Sequence, residues 1–263
     1  MKSERKGESV TELLEVQKLS KVYPNGTRAL SEVSFSVTPG EFAVIVGRSG
    51  AGKSTLMRCI NRLAESTSGE VLLEGGSVTG LSNNDLRRAR KKMGFVFQQF
   101  NLVKRISALQ NVLCGRMVDM PVLTSCFRRF SKQERQVALE CLERVGLGDK
   151  AAQRADTLSG GQQQRVAIAR ALAQRPSMIL ADEPVASLDP ESAKVVMDTL
   201  RSLANEEGYA VLCNLHQVNL ADRYADRILG IREGELVLDG KKGDLGSAEI
   251  ESVYGAEAQE ALR

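Results

Sequence analysis

A glycine-rich segment followed by a lysine and two hydroxyl residues is the first part of the sequence that could do chemistry. It satisfies the pattern G-x-x-x-x-G-K-[S/T] with the residues Gly47, Arg48, Ser49, Gly50, Ala51, Gly52, Lys53, Ser54 and Thr55. Glycines let a backbone bend around phosphate oxygens, lysine neutralises their charge, and the adjacent hydroxyl is a typical ligand of Mg²⁺. The segment predicts a phosphate-binding loop, although its pattern alone does not separate kinases, GTPases and transport ATPases.

Two adjacent carboxylates form a second candidate site. Asp182 and Glu183 follow the apolar residues 178–181, so they should lie at the C-terminal edge of a buried strand, where open parallel sheets bind ligands. Asp182 is a candidate Mg²⁺ ligand. Glu183 is a candidate general base for an attacking water, a role that typically contributes about 10²–10⁴ in rate. The alternative interpretation is a solvated acidic turn.

A helix start at residues 157–165 is a third candidate, suited to an anion. Thr157 and Ser159 are hydroxyl residues of the type that caps a first turn, while Gly160 and Gly161 leave backbone N–H groups uncovered. The helix dipole places roughly +0.5 charge at this end, but an exposed helix end contributes only about 0.3–1 kcal/mol to anion binding. A catalytic role therefore requires a place from which water is excluded.

The periodicity of the apolar residues predicts an α/β fold that positions these candidates. The opening residues 14–22 and 33–37 should form antiparallel strands around a turn at Asn25-Gly26, and a final hairpin is expected around Glu233-Gly234. Buried strands of the parallel type are predicted at residues 42–46, 95–97, 178–181 and 209–213. Helices are predicted at residues 53–60, 84–92, 131–146, 160–172 and 189–207.

The helical patterns between about residues 107 and 146 contain no strand signals, which indicates a helical insert in one compact unit. We expect a single domain over residues 13–240, with the insert at about 104–160. A polar C-terminal tail with weak helical tendency should follow over residues 241–263.

Composition limits the other function classes. The 263 residues carry a net charge of +3 with a pI near 8.6, so no whole-molecule field favours nucleic acid. The five cysteines are widely spaced without a C-x-x-C pair, which predicts reduced thiols in a cytosol. We expect neither a signal peptide nor a membrane span. The basic run at residues 87–92 favours a solvated helix face, with contact to lipid headgroups as the alternative.

The phosphate loop, the segment from Ser159 to Gln162 and the pair Asp182-Glu183 occur in an order that resembles the nucleotide-binding subunit of an ABC transporter. The resemblance covers nearly the whole chain. It implies a P-loop NTPase fold of ABC type, with a mixed sheet core, an N-terminal antiparallel β subdomain and an inserted α-helical subdomain. It also implies ATP and Mg²⁺ as cofactors.

The resemblance assigns roles to further residues. Tyr23 would stack on adenine, Gln98 would link Mg²⁺ to the helical insert, and His216 would sense the γ-phosphate. Taken alone, Tyr23 is a strand-end aromatic and His216 a surface or structural histidine. The implied catalytic residues are Glu183, His216 and Gln98, and the implied metal ligands are Ser54, Gln98 and Asp182. The implied nucleotide-binding residues are Tyr23, Gly47, Arg48, Ser49, Gly50, Ala51, Gly52, Lys53, Ser54, Thr55, Ser159, Gly160, Gly161 and Gln162.

Partners follow from the same resemblance. The helix start at Ser159 would close on the ATP held by Lys53 of a second copy, with the loop Ser187-Leu188-Asp189 between the subunits, which satisfies the need to exclude water. The resemblance further implies membrane permease subunits, indirectly a periplasmic solute-binding protein, and a place on the cytoplasmic side of the bacterial inner membrane. It implies no nucleic-acid partner.

Four segments are similar to the ATP-binding subunit of phosphonate importers, whose phosphite and hypophosphite counterparts are closely alike. They are residues 97–105, Cys126-Phe127 with Arg128, residues 182–192 and residues 215–218. Residues 104–126 would then face the permease, with ordinary helix packing as the alternative. Three alternatives are kept. The first is an ABC ATPase for another small polar solute. The second is a non-transport ABC clamp, against which the single cassette and the lack of heptads argue. The third is a small-molecule phosphate kinase, which would leave the segment from Ser159 to Gln162 unexplained.

Overall fold

The computed structural model describes residues 12–119, 130–244 and 246–255 of the chain. The strands are β1 (Leu14–Val22), β2 (Arg28–Val37), β3 (Phe42–Val46), β4 (Ser68–Leu73), β5 (Gly76–Ser77), β6 (Met93–Val96), β7 (Met178–Asp182), β8 (Ala210–Asn214), β9 (Arg227–Arg232) and β10 (Glu235–Lys241). The helices are α1 (Lys53–Ile60), α2 (Asn83–Lys91), α3 (Ala108–Arg116), α4 (Lys132–Arg144), α5 (Gly160–Leu172), α6 (Pro190–Glu207), α7 (Val218–Tyr224) and α8 (Ser247–Tyr254). Short 3₁₀ turns occur at Met117–Asp119, Gly148–Lys150 and Ala155–Thr157.

Two sheets organise these elements. An antiparallel sheet has the strand order β2-β1-β4-β5, and a larger sheet has the order β10-β9-β3-β8-β7-β6. In the larger sheet β9, β3, β8, β7 and β6 run parallel, while β10 is antiparallel to β9. The predicted antiparallel N-terminal part and mixed sheet core are therefore confirmed.

The larger sheet separates two hydrophobic cores, because successive residues of a strand face opposite sides. Phe42 and Val44 of β3 pack into the core shared with α3, α4, α5 and α6. Ala43 and Ile45 pack into the core shared with α1 and the antiparallel sheet. The carboxyl ends of β3, β7 and β8 consequently emerge together between the two layers.

The predicted helical insert is present as α3 and α4, which pack against α5. Ser131 caps α4 with a capping box to Glu134, as the sequence spacing predicts. At Gly115 of α3, an added Cβ would lie 2.3 Å from the backbone oxygen of Arg170, so this helix approaches α5 at backbone distance. Cys126, Phe127 and Arg128 lie outside the described residues.

Several strand boundaries differ from the predictions by a few residues; the strand expected at 178–181, for example, also includes Asp182. The strand expected at 95–97 begins at Met93, because the parallel register pairs Met93 with Met178 directly after α2 ends. The strand expected at 209–213 includes Asn214, which pairs with Asp182. β2 begins at Arg28, since its pairing with β1 extends to Val22. In each case the pairing with a neighbouring strand, which no local sequence pattern contains, sets the end of the element.

The basic residues of α2 contact neighbouring backbone and acidic groups. Arg90 donates hydrogen bonds to the carbonyl oxygens of Asn61 (3.0 Å) and Arg62 (2.6 Å) at the end of α1. Lys92 pairs with Glu74 at 2.5 Å. Part of the basic run thus ties α2 to its neighbours. Within the ranges described above, no helix combines the length and hydropathy needed to cross a membrane.

Candidate functional site

The loop between β3 and α1 is shaped by glycines that no other residue could replace without strain. Gly47 has a φ of 152°, and an added Cβ would lie 2.2 Å from the backbone oxygen of Ile231. Gly52 has a φ of 108°, and its added Cβ would lie 2.4 Å from the oxygen of Ala29. No side chain caps the N-terminus of α1. Its first backbone N–H groups and the positive end of its dipole are thus available to an anion, as a phosphate-binding loop requires.

Lys53 holds its ammonium group inside this loop. The side chain is buried, and Nζ donates to the carbonyl oxygens of Gly47 (2.6 Å) and Arg48 (2.8 Å). Burial lowers the pKa of Lys53 to about 8, and the carboxylates of Glu183 and Asp182 oppose that change. Lys53 is accordingly a cation that has lost much of its hydration and is ready to interact with phosphate oxygens.

Ser54 and Asp182 come together at the end of β7. Ser54 Oγ donates to Asp182 Oδ1 at 2.8 Å, and Asn214 Nδ2 donates to the same oxygen at 2.9 Å. Sequence reasoning missed Asn214. Its signal is a polar residue at the end of an apolar strand, in a parallel sheet next to the strand that ends at Asp182. A hydroxyl and a carboxylate side by side form the hard oxygen donor set that Mg²⁺ prefers.

Glu183 and His216 form the next pair in the cleft. His216 Nε2 lies 2.6 Å from Glu183 Oε1, and His216 Nδ1 lies 3.4 Å from Lys53 Nζ. Since an ammonium group only donates, Nδ1 accepts from Lys53 and the Nε2–H donates to Glu183. Glu183 itself has a left-handed backbone, with a φ of 50°. The histidine therefore bridges the phosphate-binding cation and the candidate general base.

Lys53, Ser54, Glu183 and His216 line one cleft of about 370 Å³, and Asp182 lies behind Ser54. The cleft is lined by Tyr23, Thr27, Arg28, Ala29, Ser49, Gly50, Gly52, Lys53, Ser54, Thr55, Glu183 and His216. Tyr23 stands at its rim, with its hydroxyl 3.4 Å from Thr55 Oγ1. The aromatic ring is thus in the same cleft as the phosphate loop, which an adenine-stacking role requires.

The segment from Ser159 to Gln162 forms the N-terminus of α5, apart from that cleft. Ser159 is the N-cap: its hydroxyl accepts from the Gln162 N–H at 3.3 Å, and Gln162 Oε1 accepts from the Ser159 N–H at 3.0 Å. Thr157 does not cap this helix, because its hydroxyl donates to the carbonyl of Arg154 in the preceding turn. None of the residues from Ser159 to Gln162 lines the cleft of their own chain.

The glycines of α5 also have a packing role. An added Cβ at Gly161 would lie 2.7 Å from the Cβ of Ser192 on α6, and one at Gly160 would lie 3.2 Å from Leu188. Asp189 caps α6 by accepting from the Ser192 N–H at 2.9 Å. The helix start and the loop before α6 therefore form one tightly packed unit.

Gln98 is exposed in the turn after β6 and does not line the cleft. Its role as a link to Mg²⁺ stays a prediction. The loop that carries it continues through Phe100 and Asn101, both with left-handed φ values of 57° and 51°. Arg170 of α5 donates to both carbonyl oxygens, at 2.9 and 2.5 Å. Sequence reasoning missed Arg170, whose one signal is an arginine among the apolar residues of a buried helix.

The site fits a magnesium nucleotide. A backbone cradle with an uncapped helix end, a buried ammonium group and the Ser54 hydroxyl, bonded to Asp182, lie at one cleft that the aromatic side chain of Tyr23 also lines. This donor set is suited to a divalent cation bound together with phosphate oxygens.

Comparisons with known proteins give consistent results. Residues 30–186 match the family model described as ABC transporter. The chain is 49% identical over 242 residues to the phosphonates import ATP-binding protein of Lactobacillus gasseri, covering 92% of this chain and 93% of that protein. It is 51% identical to the protein of the same name from Staphylococcus haemolyticus, covering 92% and 94%.

Solved structures of similar fold include two nucleotide-binding cassettes. One is a dimeric post-hydrolysis state bound to ADP and Pi, with a TM-score of 0.77 and 37% identity over 88% of this chain and 100% of that chain. The other is a nucleotide-free cassette from an ABC transporter, with a TM-score of 0.79 and 28% identity over 92% and 94%.

Proposed function

The chain belongs to the ATP-binding proteins of ABC transporters, in which ATP hydrolysis is coupled to transport, and we propose that it powers phosphonate import as a homodimer docked on a membrane permease. The family resemblance and the ABC-type fold inferred from the sequence are thereby confirmed. The observation that carries the proposed substrate is the identity of about half the residues, over more than nine tenths of the chain, with phosphonates import ATP-binding proteins.

Binding of the nucleotide is assigned to the phosphate loop and Tyr23. Lys53 and the uncapped N-terminus of α1 hold the phosphates, and Ser54 and Asp182 hold Mg²⁺. Asn214 keeps Asp182 oriented through its 2.9 Å hydrogen bond. When bound, Mg-ATP supplies the phosphoryl group, and its metal neutralises the charge that develops during transfer to water.

Glu183 and His216 are assigned to the removal of a proton from the attacking water. Glu183 accepts the proton of the attacking water at a carboxylate oxygen, and His216 holds the other side of that carboxylate through Nε2. Since His216 also contacts Lys53, a ligand that engages Lys53 must change the surroundings of the histidine. This arrangement links occupancy of the phosphate loop to the position of the base.

A second copy completes the site in this proposal. The α5 N-terminus, with Ser159, Gly160 and Gly161, lies outside its own cleft, so it is free to close on the nucleotide of the other subunit and exclude water. The dimeric cassette bound to ADP and Pi, to which this chain is similar, supports such an assembly. The remaining partners are permease subunits, a periplasmic solute-binding protein that selects the solute, and the cytoplasmic face of the bacterial inner membrane.

Reconstitution tests the proposed function. The full chain is combined in vesicles with the permease and solute-binding protein from its own genome, and ATP hydrolysis is measured with candidate solutes. We expect an alkylphosphonate, phosphite or hypophosphite to stimulate hydrolysis, and a sugar or amino acid to have no effect. Stimulation of ATP hydrolysis by an unrelated polar solute alone would contradict the proposal that the transported solute is a phosphonate or a related oxyanion.

Co-purification tests the alternative function. If the chain purified with ribosomes or DNA, and not with a permease, a non-transport clamp would be favoured.

A further inference from the structure

The C-terminal helix α8 packs closely against strand β9 of the larger sheet. At Gly230 of β9, an added Cβ would lie 2.4 Å from Cγ2 of Val253, so this position admits α8 only because it has no side chain. Arg232 Nη1 donates to the carbonyl oxygen of Ser252 at 3.2 Å. Ile250, Val253 and Tyr254 are buried. The sequence predicts only weak helical tendency here, because the contacts that fix the helix come from β9.

Tyr254 extends from this helix to the candidate active site. Its hydroxyl donates to the backbone carbonyl oxygen of His216 at 3.3 Å. Burial raises the pKa of Tyr254 to about 12, while the backbone N–H of Gly47 acts on the hydroxyl in the opposite direction. The hydroxyl therefore stays protonated and remains a donor at neutral pH. It lies between the first residue of the phosphate loop and the loop that carries the histidine.

The loop of His216 needs such support. It connects β8 to α7, and its preceding residue is anchored by the Leu215 N–H, which donates to the carbonyl of Ile45 at 3.0 Å. The imidazole is 40% exposed, yet it must reach both Glu183 and Lys53. Ordering a backbone residue costs conformational entropy, so an anchor at the His216 carbonyl reduces the freedom of the side chain that must be positioned.

We propose that Tyr254 is a positioning residue, through which α8 holds His216 in reach of Glu183. The inference rests on the proposed ATP hydrolysis and adds a role for the C-terminal segment. Tyr254 does not line the candidate nucleotide cleft. Its effect passes through the main chain of His216.

A spectroscopic test needs no nucleotide. His216 is the only histidine of the chain, so an untagged full-length protein gives one set of imidazole resonances by NMR. We expect Tyr254→Phe, which keeps the buried ring, to shift these resonances and change the proportion of the Nε2–H tautomer. Tyr224→Phe is the matched control, because it also removes a buried tyrosine hydroxyl, one that donates to Asp198 at 2.7 Å. The control should leave the imidazole resonances in place.

A kinetic double-mutant cycle is the second test. With the full chain in the assembled transporter, Tyr254→Phe should lower kcat for ATP about three- to tenfold, the range of one net hydrogen bond, with KM changed less than about twofold. In a His216→Ala background, the same substitution should change kcat by less than about 1.5-fold, because the side chain it positions is gone. Tyr224→Phe should leave kcat at the wild-type value.

The outcomes separate this inference from the proposed function. Unchanged imidazole resonances and unchanged kcat in Tyr254→Phe, with an active wild type, would overturn the positioning role alone. An equal fall in kcat with and without His216 would overturn it as well, since the effect would then pass by another route. A wild-type transporter that does not hydrolyse ATP would instead refute the proposed function, while the NMR comparison would still test the contact.

Discussion

The ammonium of Lys53 shows how burial sets the working range of a phosphate site. A lysine in water stays charged to about pH 10.4. In this loop the pKa of Lys53 is lowered to about 8 because burial removes the ammonium group from water, although the nearby carboxylates of Glu183 and Asp182 favour its charged form. Most of the Lys53 side chains are therefore protonated at pH 7, and the positive charge is lost within the mildly alkaline range.

That pKa predicts a pH dependence of nucleotide binding. Below pH 8 Lys53 is protonated, so the affinity of the nucleotide-free chain for ATP should be nearly constant. Above pH 8 the protonated fraction falls, and the affinity should decrease by up to about tenfold per pH unit. Isothermal titration between pH 7 and 10 measures this decrease. The variant Lys53→Met should bind weakly, with no such decrease. A wild-type profile that stays flat to pH 10 would contradict the assigned environment.

The carboxylate of Glu183 leads to a second prediction at the residue scale. Glu183→Gln keeps the shape and the contact with His216 but cannot accept a proton. We expect ATP turnover to fall by about 10²–10⁴, while ATP binding is retained. Glu191→Gln, a change of an exposed carboxylate in the first turn of α6, serves as the control and should be as active as the wild type. Wild-type turnover in Glu183→Gln would show that another group is the base.

At the scale of elements, α5 combines two demands on the same glycines. The helix start must expose N–H groups, and it must also lie against α6 at a distance that admits no Cβ at Gly161. The sequence shows the first demand through the residue types alone. It does not show the second, because Ser192 is a distant residue on another helix.

The close approach at Gly161 predicts a loss of stability. Gly161→Ala places a methyl group 2.7 Å from Ser192 Cβ, and the free energy of unfolding should fall by about 1–3 kcal/mol, as in other overpacked sites. Urea denaturation measures the change. The double variant Gly161→Ala, Ser192→Gly lacks the clashing side-chain atoms of Ser192. Its loss in the free energy of unfolding should therefore be smaller than the sum of the losses measured for the two single variants. Strict additivity would mean that the helices move apart instead.

What could be predicted from the sequence depends on how far apart the interacting residues lie along the chain. The phosphate loop is contiguous, so its chemistry and its place between a strand and a helix are visible in nine residues. Asn214, Arg170 and Tyr254 gain their significance from contacts with residues 32, 69 and 38 positions away. Such contacts are fixed by the sheet order and the packing of helices, which no local pattern contains.

At the scale of the whole molecule, the two candidate phosphate sites of one chain lie apart, which makes the assembly itself a prediction. Ser159→Arg should leave nucleotide binding by the single chain intact and abolish ATP-driven dimerisation, because a long side chain replaces the cap at the interface. Analytical ultracentrifugation in the Glu183→Gln background, where ATP persists, measures both states. Loss of nucleotide binding by the single chain would place this motif in its own cleft.

The matched control for that experiment lies in the helical insert. Ser131 is an exposed N-cap with the same capping box as Ser159, so Ser131→Arg removes an equivalent cap, which costs about 0.5–2 kcal/mol of stability. It should not affect dimerisation. If both variants remained monomeric, the loss would reflect a destabilised fold and the interface would remain to be found elsewhere.

Helix α5 has Ser159 as its N-cap and carries, eleven residues further on, Arg170, which holds the loop at Phe100 and Asn101. At a rise of about 1.5 Å per residue, these two points are roughly 16 Å apart along one continuous helix. Arg170 donates its hydrogen bonds to main-chain oxygens of this loop, so these bonds do not depend on which side chains the loop carries. Because α5 is one continuous helix, and Phe100 of the held loop also lies close to Gly160, we expect a movement of Ser159 toward a partner subunit to shift the loop that carries Gln98.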